Sequence, residues 1–317
     1  MKFARFVMFV LLALAPNGCS PKDQAQRPAT KLHVVATLFP LYDMARAIGG
    51  EHADVTLLLP PGVEAHSFEP RAGDILRLNG ADMFISTGRF MEPWAESLIK
   101  GLDNKRLLVI DASNGITLMK GGREHADDHG HAEGENHRHA GGMDPHIWLD
   151  FGNAREMVET ILKGFAAKDP AHETIYRRNA AAYEARLADL DHSYRTGLAV
   201  CGTRTIIHGG HFAFGYLAGR YGLKYVSVYP ASGDAEPNAR QMAGIVDLIR
   251  STGARALFYE ELISPRMADT LAKETGVKLL ILHAAHNVNR DELKQGVTFP
   301  ALMERNLESL RQGLQCR

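Results

Sequence analysis

"LHVVATLFPLYDMARAIGGEHADVTLLLP", residues 32 to 60, decides the fold. A β-rich run from Leu32 to Leu38 is followed by a helical pattern from Leu41 to Gly50, and a second β-rich run begins at Ala53. Strand, helix and strand in that order form a parallel pair with a crossover helix. The pattern continues: "RAGDILRLNG" reads as helix, "ADMFISTG" as strand, "PWAESLIKGL" as helix and "RLLVIDAS" as strand. The first lobe is therefore expected to be a parallel sheet flanked by helices.

The same grammar returns after residue 203. "RTIIHGG", "LKYVSVYP", "ARALFYEE" and "VKLLILH" read as strands. "FAFGYLAGRYG", "NARQMAGIVDLIRSTG" and "SPRMADTLAKETG" read as the helices between them, and an amphipathic "TFPALMERNLESLRQGL" closes the chain. A length of 317 residues suits two lobes, each with its own core. The expected class is α/β, two similar lobes with a crevice between them, the usual design for a protein that closes around a ligand.

Two helical stretches lie between the lobes. "GNAREMVETILKGFAAKDP" has Asn153 near its start and Gly164 near its end, with Pro170 closing it. "AHETIYRRNAAAYEARLADLDHSYRTGLA" has neither proline nor glycine before Gly197, and its apolar residues recur near helical spacing. It reads either as a rigid spine shared by both lobes or as a long surface helix of one. The division expected is a first lobe over 32–170, a linking helix over 171–198 and a second lobe over 199–317.

The charge balance is 36 basic against 37 acidic residues, a net charge of −1, which excludes the clustered positive surface that nucleic acid requires. "MKFARFVMFVLLALAPNGCS" begins with Lys2 and Arg5, runs apolar from Phe6 to Ala15 and ends in small and turn residues. That run is too short to span about 30 Å of hydrocarbon as an anchor helix, so residues 1–18 read as an export signal. Gly18-Cys19 at its end resembles a bacterial lipobox, although Pro16 departs from the pattern; Cys19 would be the lipidated first residue and 19–31 a polar tether. Cys201 and Cys316 would then face an oxidising compartment where a disulfide is permitted, and the sequence leaves open whether they meet.

Export, two lobes and fifteen histidines direct attention to metal. His33, His52, His172 and His192 occupy ordinary strand, turn or helix contexts and read as surface or hydrogen-bonded residues. Four others stand apart: His66 in "PPGVEAHSFEP", His146 in "DPHIWLD", His211 after "RTIIHGG", and His283 closing "VKLLILH". Three of them follow the carboxyl end of an expected strand, where open α/β sheets place their ligands. Two come from each lobe, and four nitrogens suit the tetrahedral preference of zinc.

These segments, with "HFAFGYLAGRYGL", "DAEPNARQMAGIVDLI" and "EELISPRMADTLAKETGVKLLIL", resemble in order the signatures of the ZnuA/TroA-type (cluster A-I) metal-binding solute-binding proteins of ABC importers. The resemblance runs from Leu32 to the C-terminus. It implies two α/β lobes joined by one rigid helix, a metal held between them, no enzymatic activity, and delivery of the ion to a permease in the inner membrane. The carrier would be a monomeric lipoprotein in the periplasm or on the outer face of the cytoplasmic membrane. Position by position it implies His66, His146 and His211 as ligands. The family's usual fourth ligand is an aspartate at the end of the last strand, and here that place falls to His283, with His286 as the spare three residues on. Four neutral imidazoles leave the ion's charge to nearby carboxylates, for which Glu64, Asp144 and Glu260 are candidates. Exchanging a carboxylate oxygen for nitrogen favours Zn2+ over Mn2+, with nickel and copper as outsiders.

The conspicuous stretch "HADDHGHAEGENHRHAGGMDPHIWLD", from His125 to Asp150, divides in two. Between Gly121 and Gly142 two arginines stand against five carboxylates, a net charge of −3, with almost nothing able to enter a core. His125, His129, His131, His137 and His139 there suit weak, exchanging metal contacts, and zinc-specific members of the resembled family often carry such a loop. Two other classes compete. A zinc hydrolase would keep one coordination position open beside a general base, and no "HExxH" helix is present. A surface adhesin or zinc store would leave the crevice unexplained.

Overall fold

The computed structural model describes residues 31–121, 142–227, 239–260 and 266–317. The expected export signal, Cys19, nearly all of the tether and the histidines from 125 to 139 lie outside the described residues.

In the first lobe β1 (Leu32–Ala36), α1 (Phe39–Gly49), β2 (Ala53–Leu57), α2 (Ala72–Asn79), β3 (Met83–Ser86), α3 (Ala95–Lys100) and β4 (Leu108–Asp111) alternate as expected. The strands pair in parallel in the order β2-β1-β3-β4, with Val34 opposite Val55 and Met83. Two long helices follow, α4 (Phe151–Lys168) and α5 (Glu173–Gly197). The second lobe holds β5 (Thr205–His208), α6 (Gly215–Arg220), β6 (Lys224–Ser227), α7 (Ala239–Thr252), β7 (Ala256–Tyr259), α8 (Arg266–Thr275) and β8 (Lys278–Ile281), then α9 (Arg290–Lys294) and α10 (Phe299–Gly313). Its order, β6-β5-β7-β8, repeats that of the first sheet strand for strand. In both sheets the carboxyl ends of the central strands open at a point where the connections diverge, which is where such folds bind ligands.

The start of α4 is set by a residue other than the expected one. Asp150, not Asn153, caps the helix, its carboxylate accepting from the backbone N–H of Gly152 at 2.6 Å and Asn153 at 3.2 Å. Gly164 falls in the last turns of α4, as expected. It lies inside α4 against β4, where an added Cβ would come within 2.1 Å of Ile110 Cδ1. The glycine permits close packing of helix on sheet.

α5 is shared by both lobes. Its buried stripe, Tyr176, Ala180, Tyr183, Leu187, Leu190 and Tyr194, keeps helical spacing over five turns. The Tyr183 hydroxyl donates to Asp43 Oδ2 of α1 at 2.8 Å, and the Tyr194 hydroxyl to the carbonyl of Met303 in α10 at 2.6 Å. Asp43 also accepts from Phe299 N at 2.9 Å, so one buried carboxylate joins α1, the spine and the start of α10. Residues 31–317 form a single compact unit. Near its end Cys201 and Cys316 are joined by a disulfide, closing a span of 115 residues.

Candidate metal centre

"DPHIWLD" is the seam between the lobes, and its even-numbered residues do the joining. The carbonyl of Asp144 accepts from the Tyr216 hydroxyl at 3.0 Å. His146 Nε2 lies 3.1 Å from His211 Nε2, and Trp148 donates its indole N–H to the carbonyl of Ala284 at 2.9 Å. Asp150 receives the guanidinium of Arg220 at 2.7 Å, and Arg220 in turn grips Asp191 of the spine with two bonds of 2.7 and 2.8 Å. All four of these residues reach partners in the second lobe.

The seam delivers His146 into a cluster with His66, His211 and His286, whose ligand atoms all lie within 4.8 Å of one another. His146, His211 and His286 are buried, and His66 is partly exposed at the mouth. His66 arrives on the loop after β2, whose start is held to β1 by Leu58 N to Ala36 O at 2.8 Å. His211 follows β5 through Gly209 and Gly210. A Cβ at Gly210 would sit 2.0 Å from Glu260 Oε1, so glycine there is what lets the Glu260 carboxylate reach His211.

Three of the four histidines singled out from sequence meet here; the fourth corner is His286, in place of His283. His283 is turned into a structural role. Its backbone N–H and C=O are both bound by the buried Asn306 amide, at 2.7 and 2.8 Å, and its Nδ1 accepts from Ala285 N at 2.9 Å. Ala285 has φ +62°, a left-handed conformation that costs a non-glycine residue about 1 kcal/mol or more. The ring of His283 thus caps a tight turn that redirects the chain, and the turn presents His286 to the cluster.

Two of the four imidazoles are oriented by buried carboxylates. Asp144 Oδ1 accepts from His146 Nδ1 at 2.7 Å and from its backbone N at 3.0 Å. Glu260 Oε2 accepts from His211 Nδ1 at 2.7 Å, while Oε1 takes the backbone N–H of His211 at 2.7 Å. Each carboxylate fixes the Nδ1–H tautomer and leaves Nε2 turned inward as a donor of its lone pair. Glu64, the third carboxylate expected, is exposed and accepts from Ser67 N at 2.8 Å and Ser67 Oγ at 3.1 Å. It adds only a through-space attraction at His66 and His211.

The cluster's protonation is uneven. Burial, then the charges of His211 and His146, push His66 down to about 3; burial holds His146 and His286 well below the ordinary histidine range. His211 is buried too, but the Glu260 carboxylate outweighs that penalty and raises it. The 3.1 Å contact between two Nε2 atoms needs one proton, and the raised pKa of His211 against the lowered one of His146 favours His211 as its holder. Burial also lifts Asp144 to about 7. The Nε2 atoms of His66 and His286 are buried without a hydrogen-bond partner. Orphaned nitrogens facing one another are costly unless a cation joins them, and two carboxylates behind the cluster match the charge of a divalent ion. His208, the histidine within "RTIIHGG" at the end of β5, lies outside the cluster, with its Nδ1 3.1 Å from the Tyr225 hydroxyl.

Comparison with known proteins places this geometry in a family. The family model described as zinc-uptake complex component A, periplasmic, matches residues 34–313. The high-affinity zinc uptake system protein ZnuA of Bacillus subtilis is 36% identical over 306 residues, covering 96% of this chain and 94% of its own. The zinc-binding lipoprotein AdcA of Streptococcus pneumoniae (strain ATCC BAA-255 / R6) is 35% identical over 312 residues, covering 98% of this chain, and this chain spans only 61% of AdcA's length. The crystal structure of the Zn(II)-bound ZnuA-like domain of that species' AdcA superposes with a TM-score of 0.76 at 32% identity, covering 90% of this chain and 99% of the other. With its two lobes and shared helix, the chain belongs to the zinc-uptake complex component A family.

Proposed function

We propose that this chain is an exported receptor that captures one Zn2+ ion through His66, His146, His211 and His286 and hands it to the permease of an ABC-type importer. The observation that carries the reading is the convergence of four imidazoles from both lobes, two of them braced by buried carboxylates. Zinc is the cation whose coordination number and ligand preference match this set, and the absence of any carboxylate oxygen among the four disfavours manganese. Among the described residues no helix is long and apolar enough to cross a membrane; attachment to the membrane is assigned to lipidation of Cys19. The histidine-rich segment is assigned an auxiliary part, collecting zinc weakly for the rigid site.

The hydrolase reading loses its footing on one point. A catalytic zinc needs an open position and a nearby base. Four histidines close the position, and Glu260 and Asp144 are both committed to imidazole Nδ1 atoms.

The test is metal titration of the purified chain. One tight zinc per chain, retained when residues 122–141 are deleted and lost in His286→Ala, supports the reading. A tight site abolished by the deletion, or unchanged in His286→Ala, refutes it.

A further inference from the structure

The loop carrying His66 belongs to the first lobe and the turn carrying His286 to the second, yet neither ring is braced by one of the two buried carboxylates. The side chain that ties the two segments together is that of Asn287. Its side chain is fully buried, and its Nδ2 donates to the carbonyls of Pro60 at 2.7 Å and Val63 at 2.9 Å. Both amide protons of one side chain are therefore spent on the loop that ends at His66, from a residue adjacent to His286. Two backbone bonds run beside it: Gly62 N to Val288 O at 3.0 Å, and Phe39 N to His286 O at 2.9 Å.

We propose that Asn287 is a positioning residue for the metal site, fixing the separation of His66 from His286 across the lobe boundary. The proposal rests on the four-histidine reading above. An apolar or carboxylate side chain at 287 removes both donors, and the His66 loop is then tied to the turn beneath it by the Gly62–Val288 backbone bond alone. A ligand pair that must be ordered on binding holds zinc less tightly than one already in place. The two rings meet edge to face with centroids 5.3 Å apart, so a displacement of even 1 Å changes the angle at which both lone pairs reach a common point.

The experiment is a double-mutant cycle on the full chain with zinc affinity as the readout, supported by the visible absorption of the Co2+-loaded protein. Asn287→Ala is expected to weaken zinc about 10- to 100-fold, in the range for residues that orient metal ligands, and to lower the intensity of the Co2+ bands as the tetrahedral site opens. In a His286→Ala background the same change is expected to alter affinity by less than about threefold, because the pair it positions is already broken. Equal losses in both backgrounds, or no loss in the parent, overturn the proposal. Asn287→Asp keeps the shape without the donors and carries the same expectation if Asn287→Ala does not fold. Unchanged zinc affinity in His286→Ala alone would instead bring down the four-histidine reading, and the proposal with it.

Discussion

The four histidines of the site form two pairs built in different ways. His146 and His211 are braced through Nδ1 by Asp144 and Glu260, and they face each other across the seam. His66 and His286 have no such carboxylate and are held by the backbones that carry them, through Pro60, Val63 and the left-handed turn at Ala285. The first pair supplies negative charge and the imidazole whose proton is held most firmly; the second supplies two orphaned nitrogens. A cation entering the site exchanges with the proton on one side and satisfies bare lone pairs on the other.

The sharpest way to break this comparison is to remove a ring from each pair. A zinc site worth roughly 10–16 kcal/mol shared among four ligands loses about a hundredfold or more in affinity per ligand. His146→Ala and His286→Ala should both show losses of that size by competition titration. His283→Ala should lose about tenfold at most, because its Nδ1 accepts from Ala285 N and its ring lies outside the four-histidine cluster. A larger loss in His283→Ala than in His286→Ala would reverse the assignment.

Next in size is the carboxylate-braced pair. Glu260→Gln should weaken zinc by about 10- to 100-fold, whereas Glu64→Gln, at an exposed residue bonded to Ser67, should stay within about threefold. Competition with a chromophoric chelator at fixed pH separates the two.

Proton release sharpens the contrast further. His211 has its pKa raised above the ordinary histidine value, so it is the imidazole of the four readiest to carry a proton that zinc must expel, and Asp144 at about 7 is partly protonated as well. His66, His146 and His286 are pushed down and are already neutral. Zinc binding at pH 7 should therefore release about one to two protons, and affinity should fall as pH drops through the range of those two groups. Calorimetry in buffers of different ionisation enthalpy counts them. Glu260→Gln should lower the count by about one, since His211 then loses the charge that raises it.

The smallest effect expected at the site concerns the scaffold. Cys201→Ser should cost about 2–5 kcal/mol of stability in denaturant, given the long span the disulfide closes. Zinc affinity should change less than about twofold.

Much of this was readable before any coordinates. The repeated alternation of β-rich and helical runs implied two parallel sheets, because periodicity reports which face of an element is buried. His66, His146 and His211 stood out because they follow strand ends or sit in the seam motif. The fourth histidine of the cluster, His286, did not. "HAAHNVN" offers histidines three residues apart, and the choice between them depends on Ala285 taking a left-handed φ, which alanine does not advertise. Asp150 shows the same divide: its capping of α4 is local, whereas its bond to Arg220 reaches 70 residues away. Long-range hydrogen bonds such as those of Asn287 and Trp148 leave no local signature.

The central claim is that four imidazoles, the last of them His286, complete the site. X-ray absorption at the zinc edge of the loaded protein tests it most directly. The account predicts four nitrogen scatterers at about 2.0 Å with imidazole outer-shell features, reduced by one in His286→Ala and unchanged in His283→Ala. A carboxylate oxygen in the first shell of the parent, or loss of an imidazole in His283→Ala alone, would contradict it.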